Sequence, residues 1–338
     1  MTRPLGVSPA PRREAERGKR VSVIVPTYRR PDLLERCLAA LRRQTLAPEE
    51  YEIIVCDDGP SAEAHAVVRA AAVPGGVAIH YLEVTATQGP AGARNQGWRH
   101  ARAPLIAFTD DDTVPDPGWL AAGLAAMASG AAAATGRIEM PLPVRPSDIE
   151  LDAAGLTRAE FVTANCFVRR GVLTSVGGFD ERFSMAWRED SDLHFTLLEG
   201  GHTIVHAPDA LVVHPLREVR FAAGIGMQKK VLFDVLLYRK HPRLYRERVR
   251  PSPPWFYLIV SLLLVITPLL AVAGRPDLAG LTLAAWALAT LWFFLRRLSR
   301  SAPTLRNAGE LFVTSLAIPP LSIYWRLKGA SRYGAVFP

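Results

Sequence analysis

Short apolar runs alternate with stretches of helical spacing over the first third of the chain, and the alternation assigns elements. Val21-Ser22-Val23-Ile24-Val25-Pro26 is a brief apolar run ending in proline, the pattern of a buried parallel strand. Arg30-Pro31-Asp32 then opens a helix on which Leu33, Leu34, Cys37, Leu38 and Leu41 recur at helical spacing. Glu52-Ile53-Ile54-Val55-Cys56 predicts a second buried strand, turned by Asp57-Asp58-Gly59 and followed by a helix over Ala62 to Ala72. Val77 to Val84 predicts a third strand and Pro90 to Ala101 a further helix. Leu105-Ile106-Ala107-Phe108-Thr109 predicts a fourth strand, which runs straight into Asp110-Asp111-Asp112. Strands and helices in this rhythm predict an α/β fold with a doubly wound, mostly parallel sheet. Ligands of such sheets bind beyond the carboxyl ends of the strands. Both acidic runs fall at that edge.

The pattern changes at Trp255. Trp255 to Ala273 is nineteen residues without a charge and Leu278 to Leu295 is eighteen, each close to the roughly 20 that cross a hydrocarbon core. Gly274-Arg275-Pro276-Asp277 predicts a tight turn, so the two segments are expected to form a transmembrane hairpin; the competing assignment is a buried hairpin of a soluble protein. Leu311 to Trp325 is fifteen residues and carries Pro319-Pro320, which predicts an interfacial or re-entrant piece. Phe221 to Tyr238 reads as an amphipathic helix on a membrane surface. The expected partition is a disordered basic tail over 1–19, an α/β domain over 20–220 and an amphipathic, interfacial basic linker over 221–254. Two transmembrane helices over 255–295 and a basic segment over 296–338 complete it.

Charge supports the membrane reading. The net charge is +8, which by itself would admit nucleic acid as a partner. Its distribution argues otherwise: Arg239, Lys240, Arg243, Arg246, Arg248 and Arg250 precede the apolar segments, and Arg296, Arg297, Arg300 and Arg306 follow them. The turn between carries one basic residue. That asymmetry predicts a multi-pass protein of the cell membrane with both flanks and the α/β domain in the cytoplasm, against anionic lipid. Residues 1–20 contain no apolar stretch of a secretory signal. Cys37, Cys56 and Cys166 are scattered among apolar neighbours and are expected to be buried free thiols in a reducing compartment.

Three successive carboxylates at a strand end repel one another unless a cation compensates. Mg²⁺ or Mn²⁺ does so and shares its oxygen ligands with substrate phosphates. On an extended chain Asp110 and Asp112 point one way and Asp111 the other; a solvated acidic turn is the alternative. Asp57 or Asp58 either caps the next turn or accepts hydrogen bonds from a nucleotide base or ribose. Gly89-Pro90-Ala91-Gly92-Ala93-Arg94-Asn95 is a small-residue loop opening a helix, where a diphosphate can approach and pair with Arg94. Glu189-Asp190 stands at an expected helix start, as a general base or as acidic first-turn residues that suit the dipole. In the first case the neighbouring charges of Glu189 and Asp192 are expected to raise the pKa of Asp190. Trp187 is either a platform for an acceptor or ordinary packing. His65, His202 and His206 are taken as structural.

Together VSVIVPTYRR, IIVCDDGP, GPAGARNQG, TDDDTVPDPGWL, GGFDERF and WREDSDL resemble, in order, the family 2 glycosyltransferases of the GT-A fold over about residues 20–216. The resemblance implies an inverting transferase that uses a nucleoside-diphosphate sugar and Mg²⁺ or Mn²⁺. It implies that Pro26, Thr27 and Tyr28 wall the nucleotide base and that Asp58 binds it. It further implies that Asp110-Asp111-Asp112 is the DXD motif holding metal and ribose, with Asp110 and Asp112 as ligands, and that Asp190 is the catalytic base. Some relatives place a further metal ligand where His214 stands. Processive synthases of the family carry a QxxRW motif; here Gln228 is followed by Lys229-Lys230-Val231. The expectation is a distributive enzyme acting on a lipid-linked or glycan acceptor at the membrane. The alternatives are a non-catalytic protein that binds nucleotide sugar or tethers partners, and a nucleotidyltransferase. The latter would place a glycine-rich loop with Lys after the first strand, where Pro26-Thr27-Tyr28 stands.

Overall fold

A computed structural model of the chain describes residues 18–86 and 89–335, so nearly all of the expected N-terminal tail lies outside the described residues. The first half follows the predicted alternation: β1 (Val21–Thr27), α1 (Pro31–Leu41), β2 (Tyr51–Asp57), α2 (Ala62–Ala71), β3 (Ala78–Glu83), α3 (Pro90–His100) and β4 (Leu105–Phe108). Then come β5 (Val114–Pro115), α4 (Trp119–Met127), β6 (Ala133–Glu139), α5 (Asp148–Ala153), β7 (Cys166–Arg169), α6 (Arg170–Val176), α7 (Glu189–Glu199) and β8 (Ile204–Val213). All eight strands form one sheet in the order β3-β2-β1-β4-β7-β6-β8-β5. Its first four strands are parallel, as is the β6–β8 pair. β7 runs antiparallel to both neighbours and β5 antiparallel to β8.

Two apolar layers sandwich the sheet because successive side chains of a strand point to opposite faces. Val23, Val25, Ile53 and Val55 pack with Leu34, Leu38 and Leu41 of α1 on one side. Ile24, Ile54 and Cys56 pack with Ala93 and Trp98 of α3 on the other. The three thiols are free and buried, and burial pushes each of them up. Helix α3 lies close because Gly97 faces the strands: a Cβ there would stand 2.5 Å from Ile24 Cγ2 and 2.7 Å from Cys56 Sγ. Gly97→Ala is therefore expected to cost about 1–3 kcal/mol through overpacking, despite the better helix propensity of alanine. A thermal melt no lower than that of the wild type would show that the helix can step back.

The C-terminal part departs from expectation in three places. Phe221 to Tyr238 is not one surface helix: it is α8 (Ala223–Met227), a 3₁₀ turn over Gln228–Val231, and α9 (Leu232–Lys240). Leu232, Phe233, Val235, Leu236 and Leu237 are buried against Phe183, Phe195 and Tyr333. Protein, not lipid, covers that apolar face. After α10 (Pro242–Arg248), the apolar segments form α11 (Trp255–Val272) and α12 (Pro276–Leu298). Pro276 and Asp277 are the first residues of α12, where proline fits without losing a helical hydrogen bond, so the turn is shorter than expected. Ring contacts of Phe256 with Trp292 and Phe293, and a Thr267–Thr282 hydrogen bond, make the two an antiparallel hairpin. Both are long and apolar enough to cross a membrane. Among the described residues only Val260 of α11 and Ala279 and Thr290 of α12 are buried, unlike a hairpin in a soluble core.

The third departure is α13 (Leu305–Tyr333), a helix of 29 residues running straight through Pro319-Pro320. It is about twice the length of the fifteen-residue piece expected. Asn307, Thr314, Ser315, Ser322 and Arg326 interrupt its apolar run but are buried, and most find partners in the protein. It packs on α9, α11 and α12, joining the α/β domain to the hairpin.

Candidate active site

Side chains from six elements meet at the carboxyl edge of the sheet. Beyond β4 the chain turns, with the Thr113 N–H and hydroxyl both donating to the Asp110 carbonyl. The turn separates the three carboxylates. Asp111 points to β1, accepting a hydrogen bond of 2.7 Å from Thr27 Oγ1 and an ion pair of 3.2 Å from Arg30. Burial pushes its carboxyl up to about 6, against the pull of Arg30 and Thr27. Asp110 and Asp112 turn the other way, toward His214 just beyond β8. One ligand atom from each of the three lies within 4.8 Å of the others.

The donor set of two carboxylates and an imidazole suits Mg²⁺ or Mn²⁺. Asp112 Oδ1 is buried and has no partner among the described residues, an arrangement costly without a cation nearby. Oδ2 has Arg217 in direct contact, with His214 Nε2 at 3.5 Å and Arg30 at 3.9 Å. The site fits a hard divalent ion.

Arg94, expected to face a diphosphate, faces inward. It is 3% exposed, and its guanidinium spans Asp110 (2.7 Å) and Glu189 (3.0 Å). Burial works against the Asp110 charge, yet Arg94 with His214 and Arg217 holds that carboxyl below the usual range. Burial pushes Glu189 up; Arg94 pulls it back and the adjacent Asp190 adds to the rise. Arg94 thus ties the end of β4 to the start of α7, where Asp190 stands.

Asp190 is half-buried, and its Oδ1 accepts the Ser191 N–H at 2.6 Å. Burial raises its pKa, opposed by Ser191, Arg188 and Arg94. Asp192, expected to contribute, turns away to Lys240 and His241. The residue before the helix, Arg188, adopts a left-handed backbone (φ 74°); such strain in a non-glycine residue persists only where surroundings enforce it. Here Asp234 of α9 accepts from Arg188 Nε at 2.7 Å and from Trp187 Nε1 at 3.0 Å. Arg326 of α13 pairs with its other oxygen at 3.1 Å. The Trp187 ring, 38% exposed, lies under the Arg188 guanidinium.

The two carboxylates after β2 take separate parts. Asp57 is the cap, accepting from the Gly59 and Ser61 N–H groups and the Tyr81 hydroxyl. Asp58 reaches across to Gly89 at the start of α3, accepting its N–H at 2.8 Å, and burial raises its pKa. Pro26 is half-buried in β1, while Tyr28 is 46% exposed with its ring against Gly59. The structure thus gathers Thr27, Asp110, Asp111, Asp112, His214, Arg94 and, through Glu189, Asp190. Sequence reasoning named Glu189 only as a charge beside Asp190, not as the partner of Arg94, and missed Arg30, Arg217 and the Arg188–Asp234–Arg326 cluster. Only Arg217, three residues after His214 in one loop, left a signal that could have been followed.

The family model "Glycosyl transferase family group 2" matches residues 105–325, and "Glycosyl transferase family 2" matches residues 22–155. The chain belongs to the family 2 glycosyltransferases. The chain is 29% identical over 266 residues to validoxylamine A glucosyltransferase of Streptomyces hygroscopicus subsp. limoneus, covering 67% of this chain and 58% of that protein, so it spans under two thirds of that relative's length. It is 26% identical over 241 residues to glycosyltransferase AglE of Haloferax volcanii, covering 65% and 77%. Its fold is similar to that of the mannosyltransferase PcManGT from Pyrobaculum calidifontis, solved in complex with GDP-Man and Mn²⁺. The TM-score is 0.55 at 22% identity, over 93% of this chain and 90% of that one. The GT-A fold expected from the motifs is the fold of the protein.

Proposed function

We propose that this glycosyltransferase moves one sugar, with inversion and without processivity, from a nucleoside-diphosphate sugar to a lipid-linked or glycan-precursor acceptor at the membrane. The observation that carries the reading is the convergence of Asp110, Asp112 and His214, one ligand atom of each within 4.8 Å of the others, at the edge where α7 begins with Glu189 and Asp190. Mg²⁺ or Mn²⁺, held by Asp110, Asp112 and His214, would offset the charge of the leaving diphosphate.

The chain's own residues do the rest. Pro26, Thr27 and Tyr28 line the base, and Asp58 binds it while anchoring Gly89. Asp110 and Asp111 face the ribose. Arg94 sets the spacing of Asp110 and Glu189 from within, which supports a positioning role in donor binding; Arg30 and Arg217 are the guanidinium groups exposed enough to meet phosphate oxygens. Asp190 takes the proton of the acceptor hydroxyl as its oxygen bonds to the anomeric carbon and the bond to diphosphate breaks. Residues 20–220 carry this chemistry and α8 to α10 attach it to the hairpin. α11 and α12 span the cell membrane, with the domain and both flanks on the cytoplasmic side. Absence of a QxxRW run supports single transfers, and nothing in the charge pattern suits nucleic acid. The competing reading, a non-catalytic nucleotide-sugar binder or tether, has no use for a half-buried Asp190 of raised pKa beside a strained Arg188.

The test incubates detergent-purified protein with UDP-, GDP- and dTDP-sugars and Mn²⁺, following nucleotide release. One donor is expected to be hydrolysed. EDTA and Asp112→Asn should each lower the rate by at least about tenfold, as loss of a metal ligand does. Release indifferent to both would remove the metal reading, and no release with any donor would favour the binder.

A further inference from the structure

A cavity of about 780 Å³ lies where the α/β domain meets the hairpin, walled by α5, α8, the feet of α11 and α12, and the first half of α13. Its volume is that of a small-molecule site. Aromatic rings line its membrane side: Trp255, Phe256 and Tyr257 from α11, Trp292 and Phe293 from α12. Four arginines line it as well. Arg297 is consumed by the fold, bonded to Asp148 at 2.7 Å and to the Thr314 and Ser315 hydroxyls. Arg250, Arg296 and Arg300 have no ion pair with a carboxylate among the described residues, although each borders the cavity. Of the acidic wall residues Asp148, Asp152 and Glu310, none forms an ion pair with these arginines among the described residues: Asp148 is held by Arg297, and Glu310 accepts the Ala222 N–H at 3.1 Å.

We propose that this cavity binds the phosphate or diphosphate of a membrane lipid, with Arg250, Arg296 and Arg300 on the phosphoryl oxygens and the chain leaving past Trp255 and Trp292. Guanidinium groups recognise phosphate through paired N–H donors, and aromatic rings at the ends of apolar helices mark the headgroup level. A free phosphate would fill a small part of the space and make no use of the rings. One short turn connects the cavity with the reaction site: Gln228 lines the wall, and Lys230, two residues on, stands 5.9 Å from the centre of the Trp187 ring, beside Arg188 and the start of α7. On this reading the bound lipid is the anchor of the acceptor. This rests on the reading that α11 and α12 lie in the membrane.

The full chain in detergent micelles is offered a long-chain polyprenyl monophosphate, the parent polyprenol, or inorganic phosphate, with binding read by native mass spectrometry. The phosphorylated lipid is expected to bind at least about tenfold tighter than the alcohol, a difference of about 1.4 kcal/mol. Arg250→Ala/Arg296→Ala/Arg300→Ala should erase that preference while donor hydrolysis stays unchanged. Arg296→Lys/Arg300→Lys, which keeps the charge and the fold, should retain part of it. Equal binding of alcohol and phosphate, or a triple variant that keeps the preference, overturns the proposal. Full competition by inorganic phosphate overturns the lipid as its source. Loss of donor hydrolysis in the wild type would instead defeat the transferase reading and leave the lipid measurement standing.

Discussion

Asp190→Asn is expected to lower kcat for sugar transfer by about 10²–10⁴-fold, the worth of a positioned general base, and to leave donor affinity nearly unchanged. Asparagine has the same shape and can still accept the Ser191 N–H that fixes Asp190 at 2.6 Å, so α7 should start as before. What disappears is the ability to take a proton. Burial raises the Asp190 pKa above that of an ordinary carboxylate, and in the proposed mechanism the deprotonated form is the active one. The rate should therefore fall with decreasing pH at a higher value than a solvated aspartate would give, and rise to a plateau above it. Steady-state transfer to a lipid acceptor at varied pH, beside donor binding by calorimetry, checks both parts. A variant with wild-type kcat would move the base elsewhere, with Glu189 next in line.

The second large effect is on stability. Asp234→Ala would leave Arg188 and Arg326 without their shared carboxylate, and Arg326 is 3% exposed with Nε and Nη1 already lacking partners. Removing one member of a buried ion-pair cluster costs about 3–5 kcal/mol, a fall of roughly 5–10 °C in Tm for a chain of this size. The loss should reach catalysis too, because Asp234 holds the left-handed Arg188 that precedes Glu189 and Asp190. Arg326→Met alone should cost less, and combined with Asp234→Ala less than the sum. Thermal melts in detergent of the two single variants and the double variant form the cycle; strict additivity would show that the three residues do not act together.

The two halves of the chain were unequally legible. The parallel strands could be read because strands buried on both faces are continuous apolar runs, a local signal. The Asp110-Asp111-Asp112 turn was readable for the same reason: adjacent carboxylates at a strand end announce themselves. Arg94 misled because a short loop opening a helix says where a phosphate fits, not which way a guanidinium turns; Glu189, 95 residues away, decides that. Helix α13 runs past both ends of the apolar run from Leu311 to Trp325, because a charged residue such as Arg326 looks like the end of the segment until its partner Asp234 is seen. The antiparallel β7 was invisible, since four residues carry no mark of strand direction.

The closing of α7 has a temporal side. Phe183 and Phe195, on and beside the helix that carries Asp190, are sealed by α9 and by Tyr333 at the end of α13. Every strand of the sheet is complete at Val213, 42 residues before Trp255, an interval of about 2–8 s at ordinary translation rates. The donor edge can assemble while the hairpin is still being made. The packing around α7 waits for Tyr333, which emerges only after both apolar helices, so a nascent chain completes its sheet early and the surroundings of Asp190 last.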